Sequence, residues 1–274
     1  MAFPFKDAVA VVTGAGGGLG QALALDLAAR GARLALTDRN PETLAKSCEA
    51  CRAAGAEVSE HMFDMADAAA VAALPDVVVE RHGQVDLLIN NAGVALAGTF
   101  EQIGMSDFEW LMNINFYGPV RMCKAFLPAL KARPSAHVVN ISSLFGLVAP
   151  PGQTAYCAAK FGLRGFSESL RHELSETNIG VTVVHPGGIR TSIALSARIP
   201  VGVNSTELEE QMRKFDAFLT TEPADAARTI LDGVARKAPR VLIGSDARRG
   251  DILQRLMPGT YWKIMKRGLE RAMK

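Results

Sequence analysis

Seven short apolar runs recur along the chain, near residues 8–12, 33–37, 57–62, 86–89, 137–141, 181–185 and 240–243. In Ala8-Val-Ala-Val-Val12 and Val85-Asp-Leu-Leu-Ile89, apolar residues follow one another instead of alternating with polar ones. A strand with one wet face alternates, whereas a strand covered on both faces does not. The runs therefore predict parallel strands buried under helices on both sides. Helical stretches fall between them, the longest around residues 106–132 and 154–177. The pattern predicts an α/β fold: a doubly wound, mostly parallel seven-stranded sheet in one domain spanning residues 1–274, without linker or internal repeat. Pro75, Pro119 and Pro128 lie inside helical stretches and predict a kink or break at each.

Two segments carry chemistry. In the N-terminal one, the first apolar run leads at once into Thr13-Gly-Ala-Gly-Gly-Gly-Leu-Gly20, and Ala22-Leu-Ala-Leu-Asp-Leu-Ala-Ala29 then reads as a helix. Strand, glycine-rich turn and helix open a βαβ dinucleotide fold, in which backbone can approach a pyrophosphate resting on the helix N-terminus. The glycines that match are Gly14, Gly18 and Gly20, a spacing different from G-x-G-x-x-G. The other is Thr154-Ala-Tyr-Cys-Ala-Ala-Lys-Phe-Gly162, with Ser143 thirteen residues before Tyr156. Tyr156 and Lys160 share a helix face at i and i+4. A free tyrosine has a pKa near ~10 and is a poor base at neutral pH. A fixed cation beside it favours the phenolate, and a serine hydroxyl can hold a substrate oxygen. The set reads as a proton-transfer site for an alcohol or carbonyl.

These motifs resemble those of the short-chain dehydrogenase/reductase family, which pairs a Thr-Gly-x-x-x-Gly-x-Gly loop with Tyr-x-x-x-Lys. The resemblance spans roughly residues 6–245 and implies a Rossmann-type fold. Asn90-Asn-Ala-Gly93 matches a motif that stabilises the central sheet and lines the cofactor cleft, and Asp64 matches an acidic residue near the adenine. Asn115, in Asn115-Phe-Tyr-Gly118, matches a fourth catalytic residue that anchors a water and lysine relay. Pro186, Gly187, Ile189 and Thr191 match the loop that holds the nicotinamide carboxamide. The implied catalytic set is Asn115, Ser143, Tyr156 and Lys160. The implied cofactor contacts are Gly14, Gly18, Leu19, Gly20, Asp38, Arg39, Asp64, Asn91, Ala92, Gly93, Tyr156, Lys160 and the 186–191 loop. The implied reaction is reversible oxidation of a secondary alcohol to a ketone, in a homodimer or homotetramer built on the helices around Asn115 and Tyr156. Ser142 is one residue out of register, which favours Ser143 as the catalytic hydroxyl.

Asp38, at the end of the second apolar run, sits where an acidic residue accepts hydrogen bonds from the ribose 2′-hydroxyl of NAD and repels a 2′-phosphate. Arg39 beside it suits NADP, but the glycine loop has no basic residue to assist. NAD is favoured and NADP remains the alternative.

Charge is nearly balanced, with 30 Lys and Arg against 28 Asp and Glu for a net +2, so nothing calls for nucleic acid. No stretch approaches about 18 uncharged apolar residues, so no membrane span is predicted. The first residues lack a signal-peptide layout, which predicts a cytoplasmic protein. Cys48-x-x-Cys51 has metal or redox spacing, but no second pair or histidine pair completes a metal site, so a plain helix is favoured. Cys157 and His185 read as structural neighbours of the site.

Residues 192–221, including Phe215 and Phe218, are expected to form a lid, with Leu144, Phe145, Leu147 and Val148 along the far wall. Such a pocket suits a small hydrophobic alcohol or ketone, a steroid-like molecule or a fatty derivative. The runner-up functions are a 3-oxoacyl or steroid-type reductase using NADP, and a nucleotide-binding regulator of the same fold without catalysis. From residue 246 onward the chain is basic and amphipathic, split by Pro258-Gly259 into two short helices. Packing near the cleft or on a neighbouring subunit is favoured for this tail over contact with an anionic membrane surface.

Overall fold

The computed structural model describes residues 2–193, 196–200 and 219–272. Its strands are β1 (Val9–Thr13), β2 (Arg33–Asp38), β3 (Val58–Met62), β4 (Leu87–Asn90), β5 (Ala136–Ile141), β6 (Ile179–Pro186) and β7 (Arg240–Ile243). They form one sheet in the order β3-β2-β1-β4-β5-β6-β7, and every pairing is parallel. All residues of β1, β4 and β5 are buried, which is why their sequences are mostly apolar without alternation, and the polar His137, Asn90 and Asn140 among them are buried too.

The helices are α1 (Gly18–Ala29), α2 (Pro41–Ala53), α3 (Ala68–His82), α4 (Met105–Met112), α5 (Gly118–Lys131), α6 (Thr154–Glu173), α7 (Pro223–Ala235), α8 (Gly244–Leu256) and α9 (Tyr261–Ala272). Two apolar layers result. One joins Leu23 and Leu27 of α1 and Ile230 and Leu231 of α7 to Ala10 and Val12 of β1. The other sets Val71, Leu74 and Val78 of α3 and Met122 and Phe126 of α5 against Val9 and Val11 of the same strand. Successive residues of β1 thus serve opposite faces. No described helix is long and apolar enough to cross a membrane.

The prolines behave differently from one another. α3 runs unbroken through Pro75, which is itself buried among Val71, Leu74 and Val78. The helix is capped by the Asp67 side chain and ended by Gly83 at φ 79°, so apolar packing and caps outweigh the missing N–H. Pro128 likewise leaves α5 intact. Only near Pro119 is the regular pattern interrupted. The expected long helix over 106–132 contains a π-helical turn, Asn113–Tyr117, immediately before α5. Cys48 and Cys51 face the core from α2, and burial pushes both thiols up to about 11, as a plain helix requires.

His82, His137 and His185 are buried in this frame, and His61 is half-buried. Ser59 Oγ links His61 Nε2 and His82 Nε2 at 2.8 and 2.7 Å, and His137 Nε2 bonds Thr182 Oγ1 at 2.8 Å. Desolvation lowers the pKa of His61 and His82, and pushes His137 down to about 3 and His185 to about 4. Their neutral forms are favoured by folding, so the stability they contribute is present above pH 6.5 and lost as pH falls towards the folded values. Each such group costs roughly 1.4 kcal/mol per pH unit inside its window. Thermal midpoints should therefore decline steadily from about pH 6.5 towards about pH 4; a flat profile over that range would contradict the buried neutral histidines.

Candidate active site

The chain crosses from β3 back to β4 on the far side of β1, which opens a crevice at the carboxyl ends of β1 and β4. Thr13 fastens its floor. Its hydroxyl accepts from the backbone N–H groups of Asn91 and Ala92, both at 3.0 Å. Asn91 Nδ2 donates to the carbonyls of Thr13 and Gly14 at 3.0 and 3.2 Å. The glycine turn is packed against this junction. Gly14 has φ 66° and passes so near Ala92 that a Cβ would lie 2.8 Å from its Cα. A Cβ on Gly20 would collide with the Gly14 carbonyl. Leu19 is buried beside them. α1 starts with no side-chain cap and no acidic residue in its first turn, leaving N–H groups free to receive an anion.

At the end of β2, Asp38 accepts from Gly16 N at 2.9 Å and Asn40 N at 3.0 Å, which fixes its carboxylate at the crevice. Arg39 is exposed next to it. Asp38, Arg39, Asp64, Ala92, Gly93 and Gly14 line one cleft, with Asp64 held by the Ala66 N–H at 2.8 Å. On the other wall, Gly187 N donates to the Ile243 carbonyl at 2.9 Å, directly after Pro186 ends β6. Ile189 bridges to Thr221, and the Thr191 methyl approaches Gly18, where a Cβ would lie 3.0 Å from it. These are the residues able to hold a dinucleotide.

The π-helical turn sets Asn115 inward. Asn115 Nδ2 donates to the Val94 carbonyl and its Oδ1 accepts from Val94 N, each at 2.8 Å. Position 93 faces both Asn115 Oδ1 and Lys160 Nζ, which would lie 3.4 and 3.6 Å from a Cβ there. α6 brings Lys160 Nζ to 5.6 Å from the centre of the Tyr156 ring, and the ammonium donates to the Ile141 carbonyl at 3.0 Å. Ser143, extended at the end of β5, shares a hydrogen bond with Tyr156. Ser142 instead donates to the Lys160 carbonyl at 2.9 Å and is buried.

Electrostatics differ from the sequence expectation. Burial raises the Tyr156 phenol to about 12, and the Ser143 hydrogen bond offsets only part of this. Burial pushes Lys160 down to about 8. Desolvation dominates at both groups, and the phenol of Tyr156 stays protonated at neutral pH.

A family model described as short chain dehydrogenase matches residues 8–200. The chain belongs to that family. The Mycobacterium tuberculosis protein SadH is 43% identical over 268 residues, covering 97% of this chain and 96% of SadH. Dehydrogenase/reductase SDR family member 7B of Mus musculus is 34% identical over 265 residues, covering 95% and 80%. Among solved structures, a short-chain dehydrogenase/reductase from Burkholderia phymatum in complex with NAD superposes with a TM-score of 0.86 at 30% identity, covering 92% of this chain and 94% of its own. A metagenomic short-chain oxidoreductase in complex with NADP gives 0.72 at 31%, covering 87% and 98%. The chain is accordingly an oxidoreductase of the short-chain dehydrogenase family.

Two parts of the expected substrate pocket change. Leu144 and Phe145 are half-buried, with the Phe145 ring edge-on to Tyr156 at 6.2 Å. Leu147 and Val148 are fully buried and pack inside rather than line a wall. Residues 194–195 and 201–218 of the expected lid, including Phe215 and Phe218, lie outside the described residues. The described lid start is pinned by Arg198, which bonds Asp107 at 3.0 Å and lies 4.4 Å over the Trp110 ring.

Two further residues support the site, and only Asp246 escaped the sequence reading. Asp246, in the first turn of α8, accepts from Gly188 N at 2.7 Å and crowds Gly187 so closely that no Cβ fits there. His185 Nδ1 bonds the Ser143 carbonyl at 3.1 Å, while its Nε2 finds no hydrogen-bond partner among the described residues. His185 directly precedes Pro186 in the chain, whereas Asp246 meets Gly188 across 58 residues, which spacing along the chain does not show.

Replacing Asn115 by Ala removes both bonds to Val94 and should cost roughly 1–3 kcal/mol for each backbone group left unpaired. The thermal midpoint should fall accordingly, and an unchanged midpoint would contradict the bracing role.

Proposed function

We propose that the protein interconverts a hydrophobic secondary alcohol and its ketone, with NAD as the favoured partner. The observation that carries this reading is the convergence of Ser143, Tyr156 and Lys160 beside the crevice, with Asn115 behind them. Gly14, Gly18, Leu19, Gly20, Asp38, Asp64, Asn91, Ala92 and Gly93 would hold the adenosine and pyrophosphate half, and Pro186, Gly187, Ile189 and Thr191 the nicotinamide half. When bound, the nicotinamide takes a hydride from the alcohol carbon or returns one to the ketone. Ser143 and Tyr156 would hydrogen-bond the substrate oxygen. Tyr156 moves the proton at its Oη, and Lys160 stabilises the phenolate and would bind the nicotinamide ribose. Both polar atoms of the Asn115 side chain are committed to Val94, which leaves its main-chain carbonyl to hold the water that carries protons onward.

A phenol raised to about 12 keeps its proton at neutral pH, so the form that donates to a ketone is the one present, whereas oxidation gains as the phenolate forms at higher pH. The half-buried Leu144 and Phe145 support a hydrophobic substrate. The exposed Met105, Tyr117 and Phe161 on the segment from α4 to α6 support a homodimer or homotetramer assembled there. Arg39, exposed beside the Asp38 cleft, is the one feature that favours NADP instead.

Tyr156→Phe should lower turnover on the order of 10²–10⁴-fold with nucleotide binding retained. Near-full turnover in that variant would remove tyrosine from the mechanism. Asp38→Ser should shift the ratio of kcat/KM for NAD over NADP by roughly tenfold to a hundredfold towards NADP, the loss expected for a hydrogen bond to a charged group. A parent enzyme that already prefers NADP would assign the decisive role to Arg39.

A further inference from the structure

α8 and α9 have two faces with different surroundings. Inward, Ala247, Gly250 and Asp251 are buried, and a Cβ on Gly250 would lie 2.7 Å from Leu144 Cδ1. Arg240 and Arg255 neutralise Asp251, and Tyr261 Oη accepts from Ala149 N at 3.0 Å. These contacts seat the pair beside the substrate wall. Outward, Ile252 and Leu256 stand one turn apart on α8, 58% and 76% exposed. Met257 and Ile264, 40% and 41% exposed, carry apolar surface across Pro258-Gly259. Arg248, Arg249, Arg255, Lys263 and Arg267 are exposed around them.

Charge is segregated in the same way. Residues 248–274 hold eight Lys or Arg and two acidic residues, a net +6, whereas the whole chain carries +2. Residues 1–247 therefore sum to −4. Scattered apolar residues are ordinary on a surface, but an apolar line inside so basic a segment is not.

We propose that this outward face docks on an anionic lipid surface, with Ile252, Leu256, Met257 and Ile264 entering the interface and the basic side chains meeting lipid phosphates. The helices have 13 and 12 residues, which suits lying in the interface and not crossing it. Apolar insertion and basic attraction together supply the two signals that stable surface attachment needs. Long arginine and lysine stems reach the phosphate level while their methylenes stay apolar. A second copy of the chain fits less well, since a symmetric contact sets one basic face against another. The proposal is independent of the assigned reaction.

Co-sedimentation of the full chain with vesicles of phosphatidylcholine, with and without phosphatidylglycerol, tests it. Binding should require phosphatidylglycerol and weaken as salt is added. The double variant Ile252→Glu, Leu256→Glu should bind at least about tenfold more weakly, with thermal midpoint, turnover and light-scattering mass unchanged. The double variant Arg248→Gln, Arg249→Gln should also bind more weakly and lose part of the salt dependence. No binding of the parent chain to phosphatidylglycerol vesicles, or parent-like binding by either variant, would overturn the proposal. A changed mass in the Ile252→Glu, Leu256→Glu variant would do so as well, by giving the face to a second copy.

Discussion

The hydroxyl of Thr13 joins the two loops on which the crevice depends. β1 and β4 are neighbours in the sheet but lie far apart along the chain, and their carboxyl ends would be free to separate without a tie. Thr13 and Asn91 supply four hydrogen bonds between those ends, and Gly14 and Gly20 allow the backbones to close on each other. Every other feature of the crevice is registered to this junction. Asp38 reaches the glycine turn through Gly16 N, and Thr191 reaches it through Gly18. A change of a few tenths of an ångström here would be transmitted to both walls, because close-packed backbone has no flexible side chain to absorb it.

The site itself rests on a second constraint, a turn wound with one extra residue. A regular helix through 113–117 would point Asn115 elsewhere; the π-helical turn directs it to Val94, next to Gly93 and Lys160. Burial then sets the protonation pattern. Desolvation keeps the phenol protonated and makes the ammonium easier to deprotonate. The pair is thus tuned by its surroundings more than by its spacing.

The sheet was legible because buried parallel strands leave mostly apolar runs without alternation, and all seven lie within about two residues of where those runs predict, although the edge strand β3 is largely polar. The glycine turn and Tyr156-x-x-x-Lys160 were legible because local geometry ties residue type to spacing. Pro75 was misread because tertiary packing, invisible in one helix, overrode a local rule. Leu147 and Val148, expected along the far wall of the pocket, are buried after the turn at Leu144–Gly146. Asp246 and Tyr261 act across distances of 58 and 112 residues, and no periodicity carries such pairings.

The account's central claim is hydride exchange coupled to a proton held by Tyr156, and nicotinamide absorbance tests it most directly. Purified protein would be given NAD with a panel of hydrophobic secondary alcohols, and NADH with the matching ketones. Absorbance should rise with at least one alcohol and fall with its ketone, with reduction favoured at neutral pH and oxidation gaining as pH rises. Tight nucleotide binding with no absorbance change for any pair, with either nicotinamide cofactor, would contradict the claim and leave a nucleotide-binding regulator in its place.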